Sequence, residues 1–267
     1  MIDTHVHFTH KKFDCGREEI IERLHEEGKL DFAVEAAIDF TTNEKMIKGL
    51  KKYPWISYGV GIHPKFVGES DEVDATWMAS LSEYLKHPKT VAVGETGLDY
   101  HMFEKMSDEA QKERITRRQK EWFRRSIELS LESGLPLILH IREADEDALA
   151  ILREYQFSEN PGVVHCFGKP QFMQEYLDMG FSLGIGGRIT YEEEEELREA
   201  LKTAPMERLL LETDSPFVKP LPAEGSRNTP ENLCFVVDLL AKLRGMPCEE
   251  LIEITDRNAK RLFKIGK

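Results

Sequence analysis

The sequence predicts an α/β chain closed into a (β/α)8 TIM barrel, and three observations carry that expectation. Eight short apolar, β-branched runs alternate with amphipathic stretches along the chain. The length, 267 residues, is close to the roughly 250 typical of such barrels. No Gly-x-Gly-x-x-Gly pattern opens the first helix, so an open doubly wound nucleotide-binding sheet lacks its phosphate loop.

Taken in order, the strands are expected at residues 2–7, 32–39, 56–63, 90–95, 136–141, 162–167, 181–186 and 209–214. Helical patterns fall between them at 18–27, 108–132, 144–154 and 192–202, with apolar residues three or four apart. Thr190 followed by Glu193 reads as a capping box, so the run from Glu192 to Glu196 is expected to open a helix and be stabilised by its dipole. No Gly/Ser/Pro-rich linker or shift of composition divides the chain, which reads as one domain over residues 1–267.

Lys and Arg number 36 against 49 Asp and Glu, a net charge of −13 that repels polyanions at long range. A nucleic-acid substrate must therefore be drawn in locally, above all by metal ions. No run approaches the ~18 apolar residues of a membrane span, and the N-terminus carries no basic leader. Cys15, Cys166, Cys234 and Cys248 form no Cys-x-x-Cys pair. These features point to a cytoplasmic protein with no membrane contact and no obligatory protein partner.

Where the polar residues fall in the apolar strands suggests chemistry. His5 and His7 lie two apart on the first strand, so both imidazoles project to one face. Glu95, His140, His165 and Asp214 end the fourth, fifth, sixth and eighth strands, and in a barrel these ends converge on one mouth. Six ligand-type side chains there would carry a large desolvation cost unless they bound metal. We expect two divalent ions, Zn, Mg, Mn or Ni, held by His5, His7, Glu95, His140, His165 and Asp214. Some barrels bridge their ions with a modified lysine. No Lys ends these strands, which leaves Glu95 as the anionic bridge.

With those residues assembled, the chain resembles the TatD family of metal-dependent deoxyribonucleases in the amidohydrolase superfamily. The matching stretches are Asp3-Thr4-His5-Val6-His7, Gly61-Ile62-His63-Pro64, Val93-Gly94-Glu95-Thr96-Gly97-Leu98-Asp99-Tyr100, Leu135-Pro136-Leu137-Ile138-Leu139-His140-Ile141-Arg142, Val164-His165-Cys166-Phe167 and Leu211-Glu212-Thr213-Asp214-Ser215-Pro216. The resemblance implies phosphodiester cleavage in DNA, from single-stranded or 3′ ends, with the same six metal ligands. It further implies that His63 and Arg142 contact the substrate phosphate and that Asp214 doubles as general base. The forked guanidinium of Arg142 suits that phosphate role. The chain departs from the family at Thr9, which replaces an Asp, and at Cys166-Phe167-Gly168-Lys169-Pro170, which lacks the usual small hydroxyls. It departs again at Glu224-Gly225-Ser226, where Arg-Gly-Lys is common.

The expected reaction is metal-assisted hydrolysis by a hydroxide shared between the ions, with Glu95 and Asp214 as the catalytic carboxylates. A small cyclic amide, lactone or phosphoester is the alternative substrate, and a metal-stabilised interaction protein the non-enzymatic one. Trp55, Trp77 and Trp122 are expected as core or interface anchors, and His25 and His87 on helix surfaces. Tyr100 and His101 are candidates to line the pocket. Cys166 should face away from His165 as a buried, inert thiol.

Overall fold

A parallel bridge between Val6 and Ser215 joins the first strand to the segment that follows the last in an eight-stranded sheet whose order is that of the sequence. In this computed structural model, which describes residues 1–69 and 75–266, the sheet is thereby curled into a nearly closed barrel. The strands are β1 (Ile2–Val6), β2 (Phe32–Ala36), β3 (Ile56–Val60), β4 (Thr90–Asp99), β5 (Leu137–Arg142), β6 (Gly162–Val164), β7 (Ser182–Ile185) and β8 (Leu209–Leu211). All neighbouring pairs are parallel, as βα connections require.

The surrounding helices are α1 (Arg17–Glu26), α2 (Phe40–Gly49), α3 (Pro64–Glu69), α4 (Ala75–Leu85), α5 (Glu109–Ser133), α6 (Asp145–Leu152), α7 (Met173–Asp178), α8 (Glu195–Thr203), α9 (Leu233–Arg244) and α10 (Cys248–Phe263). α5 shows why these sequences form helices. Its buried residues Ile115, Gln119, Trp122, Phe123, Ser126, Ile127 and Ser130 recur at three or four. Asp108 caps its start by accepting from Gln111 N at 3.2 Å, and Gly134 ends it with φ 67°.

Two buried clusters fill the space between helices and barrel, one under α1 and α2 around Phe8, Phe13 and Tyr58, the other around Phe123, Leu139 and Leu183. A third plugs the end of the barrel away from the C-terminal strand ends. There Ile2, Val34, Ala92, Ile138, Val163 and Leu210 from six of the strands meet Ala259, Leu262 and Phe263 of α10. The opposite end is left to polar side chains. Among the described residues no helix is long and apolar enough to cross a membrane.

Several element boundaries differ from the sequence reading. β4 continues four residues past Glu95, whereas β6 and β8 stop before His165 and Asp214. The helix expected from Glu192 begins at Glu195, and its capping box does not form. Thr190 Oγ1 instead donates to Gly187 O at 2.6 Å and accepts from Leu221 N at 2.9 Å. His87 lies in the turn before β4, not on a helix. Trp55 and Trp122 are buried, while Trp77 is only partly covered and stacks on Phe40.

Candidate functional site

His5 sits within β1 and His7 one residue beyond it, and their Nε2 atoms approach to 3.1 Å. The Nδ1 of His7 lies 2.7 Å from the carbonyl of Ala36 on β2, which fixes the ring and leaves Nε2 facing the mouth. His140 comes from β5, His165 from the residue after β6, and Asp214 from the third residue after β8. All six expected ligands are thus brought together at the C-terminal ends of the strands.

Glu95 is their centre. Its Oε1 lies 2.9 Å from His140 Nδ1 and 3.0 Å from His165 Nε2. Its Oε2 lies 3.6 Å from His5 Nε2 and 3.7 Å from His7 Nε2. One carboxylate therefore faces two imidazole pairs, one with each oxygen. Asp214 Oδ1 closes the ring at 3.1 Å from His7 Nε2. Gly94, with φ 153°, lets β4 press against β5, since a Cβ there would come within 2.6 Å of Ile138 O.

Burial would raise the pKa of Glu95, but the fields of His165, His63 and His5 and a hydrogen bond with His140 outweigh it and hold the group well below the carboxylate range. Burial likewise opposes charge on His7, yet Asp214 and Glu95 raise it to about 9. His165 is raised well above its ordinary value against the same burial by Glu95 and Glu212. His63 goes the other way, to about 3, because burial and the neighbouring His140 both oppose its charge. The cluster is an anionic nest that calls for positive charge, and without metal it recruits protons.

Buried carboxylates that the sequence reading missed hold this nest in place. Asp99, on the same face of β4 as Glu95, places Oδ2 3.2 Å from His140 Nε2. Asp3 accepts from His5 N at 3.2 Å and from Thr213 Oγ1 at 2.6 Å, which ties β1 to the Asp214 segment. Glu35 accepts from Phe8 N at 2.6 Å and from Thr9 N at 2.8 Å, fixing the turn after His7 and accounting for Thr9. Glu212 takes Cys166 N at 2.5 Å, and Asn228 Nδ2 donates to Thr213 O at 2.8 Å. Asp3 and Glu212 were visible as period-two companions of His5 and Asp214, and Glu35 as a lone charge in an apolar strand.

Other candidates are placed differently. His63 lies inside the ligand cluster, 3.7 Å from Glu95 Oε1 and with its ring centroid 4.1 Å from that of His140. Arg142 ends β5 and lines a cavity of about 420 Å³ together with His140, His165, Cys166, Arg188, Tyr191, Glu193, Glu194 and Asp214. Cys166 does not face away. With φ 48° its backbone leaves the extended conformation, so alternation fails and Cys166 is among the residues lining that cavity. Burial still pushes it up to about 12, which keeps it inert. Tyr100 and His101 turn elsewhere, Tyr100 to Asp147 at 2.7 Å and His101 to Glu143 at 2.7 Å.

The residues fit a metal centre on their own terms. Glu95 Oε2, which faces His5 and His7, is buried without a hydrogen-bond partner, a cost that proteins avoid unless something binds. Ligand atoms lie within 4.8 Å of one another in three sets: His5, His7 and Glu95; His5, His165 and Asp214; and His63, Glu95 and His140. Oxygen and imidazole nitrogen are suitable donors for zinc and its neighbours.

The sequence model of the TatD related DNase family matches residues 2–264. The chain belongs to the TatD family. It is therefore a metal-dependent hydrolase. The uncharacterized metal-dependent hydrolase YabD of Bacillus subtilis is 38% identical over 267 residues, the whole of both chains. The 3′-5′ ssDNA/RNA exonuclease TatD of a Rahnella species is 32% identical over 274 residues, covering 100% of this chain and 99% of its own. Among solved structures the TatD homologue YJJV of Escherichia coli K12 superimposes with a TM-score of 0.85 at 27% identity, covering 100% of this chain and 98% of the other. The TatD-family resemblance read from the motifs and the barrel are both borne out.

Proposed function

We propose that this TatD-family hydrolase is a deoxyribonuclease that removes nucleotides from the 3′ ends of single-stranded DNA, with residues 1–267 acting as one domain. The observation that carries the reading is Glu95, whose two oxygens each face a pair of imidazoles, the arrangement expected of a carboxylate bridging two cations. His5 and His7 would hold one divalent ion and His140 and His165 the other, with Asp214 completing the set. When bound, such ions supply Lewis-acid charge at the phosphoryl oxygen and lower the pKa of water.

The chain's own residues do the rest. Asp214 accepts the proton of the attacking water. His63, kept neutral, offers an N–H to a phosphate oxygen, and Arg142 supplies a fork of donors to the same group. Phe217, 37% exposed and with its ring centroid 5.8 Å from that of His7, presents a face on which an unpaired base can stack. Lys12 lies over that ring at 5.1 Å and adds local positive charge in an otherwise acidic molecule. The four free thiols suit a cytoplasmic setting.

Oligonucleotides labelled at the 3′ or the 5′ end, incubated with Mg²⁺, Mn²⁺ or Zn²⁺, test this. Early loss of the 3′ label is expected, and intact oligonucleotide with every metal would refute it. A second reading, hydrolysis of a small cyclic amide, lactone or phosphoester, is favoured by the cavity's modest volume of about 420 Å³. A panel of such compounds in the same assay separates the two.

A further inference from the structure

The cavity above the ligand cluster holds a second guanidinium that the motifs do not contain. Arg188 stands in the short turn Gly187–Thr190 after β7 and lines the same cavity as Arg142, which ends β5. Its Nε donates to Glu194 Oε1 at 2.5 Å, and Glu194 is itself buried, at 9% exposure. This contact orients the guanidinium. Among the described residues no other protein acceptor meets Arg188, so both terminal nitrogens are free to donate.

Gly168 is what admits it. A Cβ built at Gly168 would lie 2.5 Å from Arg188 Nε, 2.6 Å from Cζ and 2.8 Å from Nη1. The backbone at Gly168 is not in the left-handed region, so its conformation does not demand glycine. Space for the guanidinium is the reason on view. Any side chain here would push the group off the cavity wall. The sequence lacks small hydroxyls at this loop and basic residues at positions 224–226, and Arg188 restores a cationic donor to the same mouth.

We propose that Arg188 is a substrate-binding residue that, with Arg142, clamps a phosphate carried by a nucleotide, and that Gly168 is the position that lets it do so. The proposal rests on the phosphodiesterase reading above and names its specificity element. Glu194 then has a purpose distinct from that of its acidic neighbours. It aligns the fork by its Nε edge, and the terminal edge meets the anion. Two guanidiniums lining one cavity give bidentate recognition that lysines at the same places would not.

Calorimetric titration of the metal-loaded protein with deoxythymidine 5′-monophosphate, inorganic phosphate and deoxythymidine tests it, with metal content measured on each preparation. Arg188→Ala and Gly168→Thr should each weaken monophosphate binding about ten- to hundredfold, the range of a charge-assisted hydrogen bond, and leave deoxythymidine binding unaltered. Arg188→Lys should fall between. Inorganic phosphate should weaken in parallel, because the clamp reads the phosphate and not the base. Monophosphate affinity within twofold of the unmodified protein in both Arg188→Ala and Gly168→Thr overturns the proposal, as does an unmodified protein that binds no monophosphate. If oligonucleotides are not cut yet monophosphate binding depends on Arg188, the nuclease reading fails and the clamp stands.

Discussion

Asp99 Oδ2 lies 3.2 Å from His140 Nε2, while Nδ1 of the same ring lies 2.9 Å from Glu95. The two carboxylates grip the imidazole from both sides and fix which nitrogen turns to the cluster. A carboxylate behind a ligating histidine usually contributes tenfold to hundredfold in metal affinity. Asp99→Asn should therefore weaken metal binding by about that factor without unfolding the barrel. Competition with a chromophoric chelator measures it, and an unchanged affinity would show that Asp99 does not position His140.

Glu95→Ala removes the group that faces the four imidazoles expected to hold metal, those of His5, His7, His140 and His165. Elemental analysis of the purified variant should show less metal per chain than the unmodified protein, for which two divalent ions are expected. Full occupancy in the variant would exclude Glu95 as the bridge.

Asp214→Asn separates two roles, since the amide keeps an oxygen ligand but accepts no proton. Losing a positioned base typically costs on the order of 10²–10⁴-fold in rate. The variant should keep much of its metal and lose most turnover. Near-normal turnover in a metal-replete preparation would move the base to another residue.

The protonation of His7 makes metal binding depend on pH. Burial opposes its charge, but the hydrogen bond with Asp214 and the field of Glu95 hold it at about 9, above its ordinary 6.5. A cation at Nε2 must displace that proton, so affinity should rise with pH up to about 9 and level off beyond. The linkage to stability has the opposite sign in the metal-free protein. A raised folded-state pKa stabilises fully below 6.5 and the benefit disappears as pH climbs through 9, so the metal-free Tm should fall across that window. Proton release followed by calorimetry in buffers of different ionisation enthalpy checks the first part. Metal affinity that is flat with pH would contradict it.

Cys166 should resist alkylation. Its thiol is pushed by burial from 9.0 to about 12, which leaves about a thousandfold less thiolate at pH 8 than an ordinary cysteine has. Cys15 and Cys234 are exposed and should react with iodoacetamide first, as peptide mass spectrometry would show. Cys166 modified at their rate would mean that its loop opens in solution.

What could be read from the sequence and what could not divide along a physical line. Short apolar runs alternating with amphipathic stretches determined the barrel, because strands buried on both faces and helices buried on one leave different patterns in the chain itself. The two-residue period of a strand marked His5 and His7 as a pair, and the ends of the apolar runs set Glu95, His140, His165 and Asp214 at the mouth. The reading went wrong where it ended β4 at its first charged residue. The strand continues to Asp99 because the inner face of the mouth is lined by charged groups that satisfy one another, so hydropathy falls while pairing persists.

Elsewhere the deciding contacts come from residues far apart in the chain. Asp214 adopts φ 53° three residues beyond β8, in a segment held by Asp3 through Thr213 and by Asn228, and no local propensity announces it. Cys166 turns into the cavity through a left-handed backbone whose amide Glu212 holds from 46 residues away. A five-glutamate run read as a helix start supplies, at Glu194, the buried partner that aims Arg188 over Gly168. Periodicity is a property of neighbours along the chain and can be read there. A buried charge takes whichever partner the closed barrel brings within reach, so only the folded structure decides it.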